Sequence, residues 1–459
     1  MFSEFKRGLA DPQRVFLGIQ SKDNSFVRIK RGGINYEKGK TSHIASSSRR
    51  KRRRILRKGI NEKLVFASSL PNDIVEEIFL RLPVKAQIRL KSLSKQWRWT
   101  IESRSFEERH LKIAKRSHLD YPKVMVISEE YPLKGSKGKL PRPDTDIGFS
   151  TICLESASVL SSTVITFPQG YLHWIYASES CDGLFCIHSV RTLAIYVVNP
   201  ATRWLRQLPP ARFQISMLKL NPTPETWTFV KSVCYIAFVK AIDYKLVWMY
   251  NSDASSPNEE LTTSEVFDFR ANTWRYFTCT PRYRLFCDQA PTSANGSIYW
   301  FTEPYYGEIK VVALDIHTEK FRVLPKINPA IASSDPNHID MCTLDNDLCM
   351  SKREGDTMIQ HIWRLKSSED SWEKIYTIDL LSCSSSLSEF RDGFNWTQKD
   401  LVEPSTPVAI CKNKKILLSH RYARNLIKYD PQAKSLCLFF QRPLCRRYVS
   451  YFQSLITHV

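Results

Sequence analysis

Glycine is scarce, with 15 residues in a chain of 459, and loops that need close backbone approach to phosphates are correspondingly improbable. No GxGxxG, GxSxG or HExxH occurs, and the nearest approach to a Walker A loop, GSKGK at 135–139, has the wrong spacing and no strand-like run before it. The common local signatures of dinucleotide, nucleotide, serine-hydrolase and zinc-protease chemistry are therefore missing. Twelve cysteines (153, 181, 186, 234, 279, 287, 342, 349, 383, 411, 437 and 445) form no CxxC pair and no Cys/His zinc spacing. Scattered in this way they read as reduced core residues. No eighteen consecutive residues are apolar, and MFSEFKRGLADPQ lacks the apolar run of a signal peptide. The expectation is a soluble protein of the nucleus and/or cytoplasm without membrane contact, in which the Asn295 and Asn395 sequons are chance matches.

What remains of a catalytic search is thin. The pairs Glu129/Glu130 and Glu259/Glu260 sit beside loop-like sequence and read as solvated charges. His110, His118, His173, His188, His317, His338, His361 and His420 are isolated, and each reads as a surface or hydrogen-bonded histidine rather than a ligand. No catalytic residue, metal or cofactor is expected, and the chain reads as non-catalytic.

The formal net charge of +21 resembles a nucleic-acid signature until it is divided along the chain. Residues 1–63 hold 18 Lys/Arg against 5 Asp/Glu, or +13, which leaves +8 for the other 396 residues. This first segment, low in apolar content and without periodicity, is expected to be a disordered basic extension. It ends in SSSRRKRRRILRKG (46–59), where Arg49, Arg50, Lys51, Arg52, Arg53 and Arg54 form a nuclear-import candidate. Nucleic acid is expected to meet it only through nonspecific contact.

From about 66 to 114 the pattern is helical. Ile74, Ile78 and Leu82 fall at i, i+4 and i+8, with Val75 and Phe79 on the adjoining stripe. Pro71 suits a first helical turn, and Asp73 with Glu76 fits a capping box. Pro83 stops this helix at Leu82 and opens a second carrying Val84 and Ile88, while Ser94 caps a third that holds Trp97 and Ile101 one turn apart. Three helices in some forty residues cannot bury every apolar side chain, so part of the Leu70, Pro71, Ile74, Ile78 and Leu82 surface is expected to stay available.

After about residue 120 the texture changes to short β-branched and aromatic runs separated by turn residues. Five units resemble one another: VVNPATRWLRQLP, VFDFRANTWRYFT, ALDIHTEKFRVLP, RLKSSEDSWEKIY and IKYDPQAKSLCLF. In each a polar turn opener precedes a large apolar residue by five or six positions: Asn199 to Trp204, Asp268 to Trp274, Asp315 to Phe321, Lys366 to Trp372, Asp430 to Leu436. An Asx side chain folds the turn and the returning strand presents its apolar residue between blades. The four intervals span 231 residues, about 58 each, which suits four-stranded propeller blades and gives about six of them.

LPNDIVEEIFLRLPVKAQIRLKSLSKQWRWTIESRSF (70–106) closely resembles an F-box, through Leu70-Pro71, Ile74, Ile78, Leu82-Pro83, Val84-Lys85, Leu93-Ser94-Lys95, Trp97-Arg98 and Ile101. Gln87 stands where the family frequently has an apolar residue, and ESRSF lacks the proline often found before the Phe. The remainder is similar to the F-box-associated domain abundant in flowering plants, through SCDGLFCI (180–187), VVNPATRWLRQLPP (197–210), NGSIYWFT (295–302) and VVALDIHTEKFRVLP (311–325), without the paired glycines of kelch repeats.

Behind the basic extension over 1–63, which falls outside both resemblances, the resemblance implies an α+β chain with an F-box over 64–114 and a kelch-like, all-β propeller-type domain of about six blades over 115–459. It further implies a substrate-recognition subunit of an SCF-type ubiquitin ligase. Leu70, Pro71, Ile74, Ile78, Leu82, Pro83, Ile88, Leu93, Trp97 and Ile101 would bind a Skp-family adaptor and through it a cullin, and the β domain would hold an unidentified protein substrate. Competing readings are an enzyme or small-molecule binder built on the propeller, or a nucleic-acid-binding protein using the basic tail.

Overall fold

The computed structural model describes residues 70–130, 145–168, 175–189, 194–220, 233–252, 261–324, 329–332, 335–354, 359–366, 371–380, 405–411, 414–420, 425–442 and 445–457. Glu259/Glu260 and the basic run at 46–59 lie outside these residues. The chain divides into two units, Met1–Pro71 and Asn72–Val459, and every helix and strand described belongs to the second.

Four helices come first: α1 (Asn72–Leu80), α2 (Val84–Leu90), α3 (Lys95–Glu102) and α4 (Arg104–Asp120). Pro83 takes the cap position of α2 with extended backbone, as its fixed φ and missing N–H require. Ser94 takes the cap position of α3, but its side chain makes no capping hydrogen bond. The capping work is done one helix later: Ser103 Oγ accepts from Phe106 N at 3.3 Å and starts the 17-residue α4, a helix beyond the three expected.

Six four-stranded antiparallel sheets follow. Blade 2 (Ile175–Ala177, Phe185–Ser189, Ile195–Asn199, Trp204–Leu208) and blade 3 (Ala237–Lys240, Tyr244–Asn251, Thr262–Asp268, Thr273–Tyr276) are simple meanders. So are blade 4 (Thr292–Ala294, Ser297–Phe301, Val311–Asp315, Phe321–Val323), blade 5 (Ile339–Leu344, Asp347–Arg353, Ile359–Lys366, Ser371–Asp379) and blade 6 (Ser405–Ile410, Ile416–His420, Asn425–Asp430, Ser435–Gln441). Blade 1 (Lys123–Glu130, Thr145–Cys153, Val159–Phe167) takes its innermost strand from the far end of the chain, Cys445–Ser450. The pairs Val124↔Ser450 and Met125↔Val449 thus close the ring. Closure removes two sheet edges that would otherwise be exposed.

Six apolar clusters fill the six gaps between neighbouring blades, including the one between blades 6 and 1. Strand alternation sends successive residues to opposite gaps: in Tyr244–Asn251, Leu246 and Trp248 face blade 2 whereas Val247 and Met249 face blade 4.

The repeated turns join the third and fourth strands of their blades. The Asp268 carboxylate accepts from Arg270 N and Ala271 N at 2.8 and 3.0 Å, Asp315 from His317 N and Thr318 N at 3.0 and 2.7 Å, and Asp430 from Gln432 N and Ala433 N at 3.0 and 3.2 Å. Trp274, Phe321, Trp372 and Leu436, each six residues after its turn opener, pack against the preceding blade. Trp204 does not. It follows Asn199 by five residues, so it points the opposite way, into the gap between blades 2 and 3, and the equivalent position facing blade 1 belongs to Leu205.

Two polar expectations also change. Glu129 is not a solvated charge: it is buried and paired with Arg446 at 2.8 Å. His188 is neither exposed nor hydrogen-bonded; it sits between the Tyr176 and Trp248 rings, where burial first and the Arg447 charge second hold its pKa near 3 and keep it neutral.

Candidate docking surfaces

In α1 the two stripes separate cleanly. Val75, Phe79 and Leu80 are buried, with Phe79 meeting Trp97 edge-on at 5.2 Å between ring centroids, while Ile74 and Ile78 remain 48% and 46% exposed. Arg109 of α4 pairs with both Glu76 and Glu77, so the outward face of α1 is fixed by charge as well as by packing. Pro83 and Leu93 are exposed, and Leu82, Ile88 and Trp97 are half-buried. In the other unit, Leu70 is half-buried and Pro71 exposed.

Ile101 cannot belong to an outer face. Its exposure is 0%, and one turn beyond Trp97 it lies on the inner side of α3. Conversely, Trp99 is 74% exposed and was not anticipated. Two positions from Trp97 on a helix lie roughly 200° around the axis, so an inward Trp97 implies an outward Trp99. Gln87, the departure from the family pattern, is fully buried and donates from Nε2 to Phe79 O at 2.6 Å. It thereby adds a second bond to a carbonyl at the close of α1 that already accepts from Leu82 N at 3.0 Å.

The helical module is mounted on the propeller through SCDG. Cys181 and Leu184 form a bridge around Asp182 and Gly183, both at positive φ (53° and 81°), which turns the chain between the first two strands of blade 2. Asp182 accepts from Lys115 Nζ of α4 at 2.6 Å, from Tyr244 Oη at 2.9 Å and from Lys240 Nζ at 3.2 Å. Burial pushes its carboxyl up, but the Lys115 and Lys240 charges and the Tyr244 hydroxyl together hold it below the usual carboxylate range. Leu111 of α4 joins the apolar cluster between blades 2 and 3, and His118 meets Ser450 Oγ at 3.0 Å. The C-terminal segment runs beneath: Asn199 Nδ2 donates to Ser454 O at 3.1 Å and Ile456 O at 2.8 Å.

This geometry defines two ends of the propeller. The turns between first and second and between third and fourth strands share the end that receives α4. The turns between second and third strands and the blade-to-blade connections lie at the opposite, distal end. There a helix not expected from sequence, α5 (Arg212–Leu220), links blades 2 and 3, its first turn held by Glu265, which accepts from Arg212 N at 2.9 Å and Phe213 N at 2.8 Å. Among the described residues no group of three or more His, Cys, Asp and Glu is placed to hold a metal, and no helix is long and apolar enough to cross a membrane.

The comparisons agree with this arrangement. Residues 67–109 match the F-box domain model, and residues 153–457 match the F-box associated beta propeller domain. An F-box protein of Arabidopsis thaliana is 81% identical, over 96% of this chain and all of that one. An F-box/kelch-repeat protein of the same plant is 65% identical, over 91% of this chain and 98% of its own length. A more distant F-box protein from it is 34% identical over 84% of each chain. Helices, closed six-bladed ring and relatives together establish that the chain belongs to the F-box proteins carrying an F-box-associated β-propeller.

Proposed function

We infer that this chain is the substrate receptor of an SCF-type ubiquitin ligase. The helical module seats a Skp-family adaptor, which links it to a cullin, and the distal end of the propeller holds the protein to be ubiquitinated and sent to the proteasome. The observation that carries this reading is the split of α1: Ile74 and Ile78 stay exposed, one turn apart, while Val75 and Phe79 anchor the helix from behind. Burying such a pair against a partner is favourable at roughly 25 cal/mol per Å² of apolar area, against the cost of association. F-box proteins are typically non-catalytic, and in this role no residue of the chain makes or breaks a bond. The rigid mount at Asp182 supports the reading, because a receptor must hold its captured protein at a fixed distance from the ligase.

Co-expression with a plant Skp-family adaptor tests it. The expected result is co-elution as a one-to-one complex on size exclusion. A folded chain that elutes alone would overturn the reading.

A further inference from the structure

Within the ligase-receptor reading, the distal end carries one feature that the fold itself does not require. The hairpin between the second and third strands of blade 4 is closed by a tight turn, with Tyr305 N donating to Glu308 O at 2.8 Å and Glu308 N to Tyr305 O at 3.1 Å. Its two tip residues, Tyr306 and Gly307, have φ of 50° and 78°. Both positions of such a turn need positive φ, which suits Asn-Gly and strains a bulky aromatic. Tyr306 is nevertheless there, and it is 92% exposed. A large ring held in a disfavoured conformation and turned to solvent adds nothing to the buried core of the blade; strain of this kind gathers at binding sites.

The surroundings give the site its chemistry. The Tyr305 ring lies 4.5 Å from Tyr306 at 76° and 5.6 Å from Tyr283 at 81°, so three phenol rings stand edge to face. Lys310 Nζ sits 5.1 Å over the Tyr283 ring and 3.4 Å from its hydroxyl. The neighbouring cation Arg284 is already neutralised by Glu303 at 2.9 Å. Among the described residues no carboxylate pairs with Lys310 or with exposed Arg282. The hairpin's own exposed carboxylate, Glu308, offsets one of these two charges, leaving an excess positive charge beside hydroxyl donors and aromatic edges. Such a surface complements carboxylates flanked by apolar side chains.

We propose that the Tyr305-Tyr306 hairpin, with Tyr283, Arg282 and Lys310, is the docking point for an acidic, apolar-flanked segment of the captured protein. The tyrosines supply rigid contact area at low entropy cost, and the two cations select for Asp and Glu.

Selection from a random dodecapeptide display library on the purified full chain tests this. The expected outcome is enrichment of peptides rich in Asp and Glu. The affinity of a selected peptide should fall roughly tenfold in Tyr306→Asn and in Lys310→Ala, and should weaken with added salt. Tyr306→Asn suits the turn, so its melting temperature should equal or exceed that of the native chain. Neutral or basic consensus peptides, no enrichment, or equal binding by the folded variants would each overturn the proposal. Adaptor binding is measured separately on the same preparations. A chain that holds the adaptor yet selects no acidic peptide refutes this docking point alone, and the converse result refutes the ligase reading alone.

Discussion

The Lys115 ammonium of α4 lies 2.6 Å from Oδ1 of Asp182 in blade 2, and this contact joins a half-exposed partner to a buried one. The two ends therefore differ in their consequences. Removing Asp182 takes the carboxylate from Lys115 and Lys240 and the acceptor from the Tyr244 hydroxyl at once, so Asp182→Ala should cost about 3 kcal/mol in urea unfolding. Lys115→Met removes a solvated charge and should cost about 1 kcal/mol or less. The folded pKa of Asp182 is depressed, so its contribution is present above the unfolded value near 4 and is lost as pH falls through the carboxylate range. Equal costs for the two substitutions would contradict this account of the mount.

Gly183 faces the C-terminal segment so closely that an added Cβ would lie 2.8 Å from both Phe452 O and Ser454 Oγ, and its φ is +81°. Gly183→Ala should destabilise by about 1–3 kcal/mol. Hydrogen exchange should then show residues 451–457 losing protection before the blades do.

Glu107 of α4 is buried, and burial raises its carboxyl to about 7, with Lys91 opposing. A folded pKa above the unfolded one stabilises below pH 4.5, and that contribution disappears as pH rises through 7. Glu107→Gln should accordingly raise the melting temperature at pH 8, by an amount worth about 1–3 kcal/mol, and change it little at pH 4.5. A larger gain in acid than in base would reverse the sign and refute the assignment.

These sites illustrate which features were legible in the sequence. Asp268, Asp315 and Asp430 announce their turns because an Asx side chain bonds backbone two and three residues on. The α1 stripes were legible for the same reason, as periodicity is local. Trp204 misled because residue type suggested equivalence to Trp274, whereas the five-residue spacing from Asn199 decides the face. Ile101 was placed outward although its one-turn spacing from Trp97 marks the inner side. The mount could not be read at all: Asp182 meets Lys115 and Tyr244, each more than sixty positions away, and only the packing of α4 and blade 3 against the first turn of blade 2 brings them together. Closure by Cys445–Ser450 is illegible for the same reason.

The basic run at 46–59 is proposed to direct nuclear import. Replacing Arg49 to Arg54 by alanine in a fluorescent fusion should lower the nuclear-to-cytoplasmic ratio severalfold, and an unchanged distribution would reject the proposal.

The central claim concerns the outward face of α1, and titration calorimetry of the full chain with a purified Skp-family adaptor tests it most directly. The native chain should bind saturably with one-to-one stoichiometry. Ile74→Asp/Ile78→Asp, which changes only exposed side chains and should leave the melting temperature within about 1 kcal/mol equivalent, should weaken binding at least a hundredfold. Undiminished binding by that variant, with its fold intact, would contradict the assignment of this face.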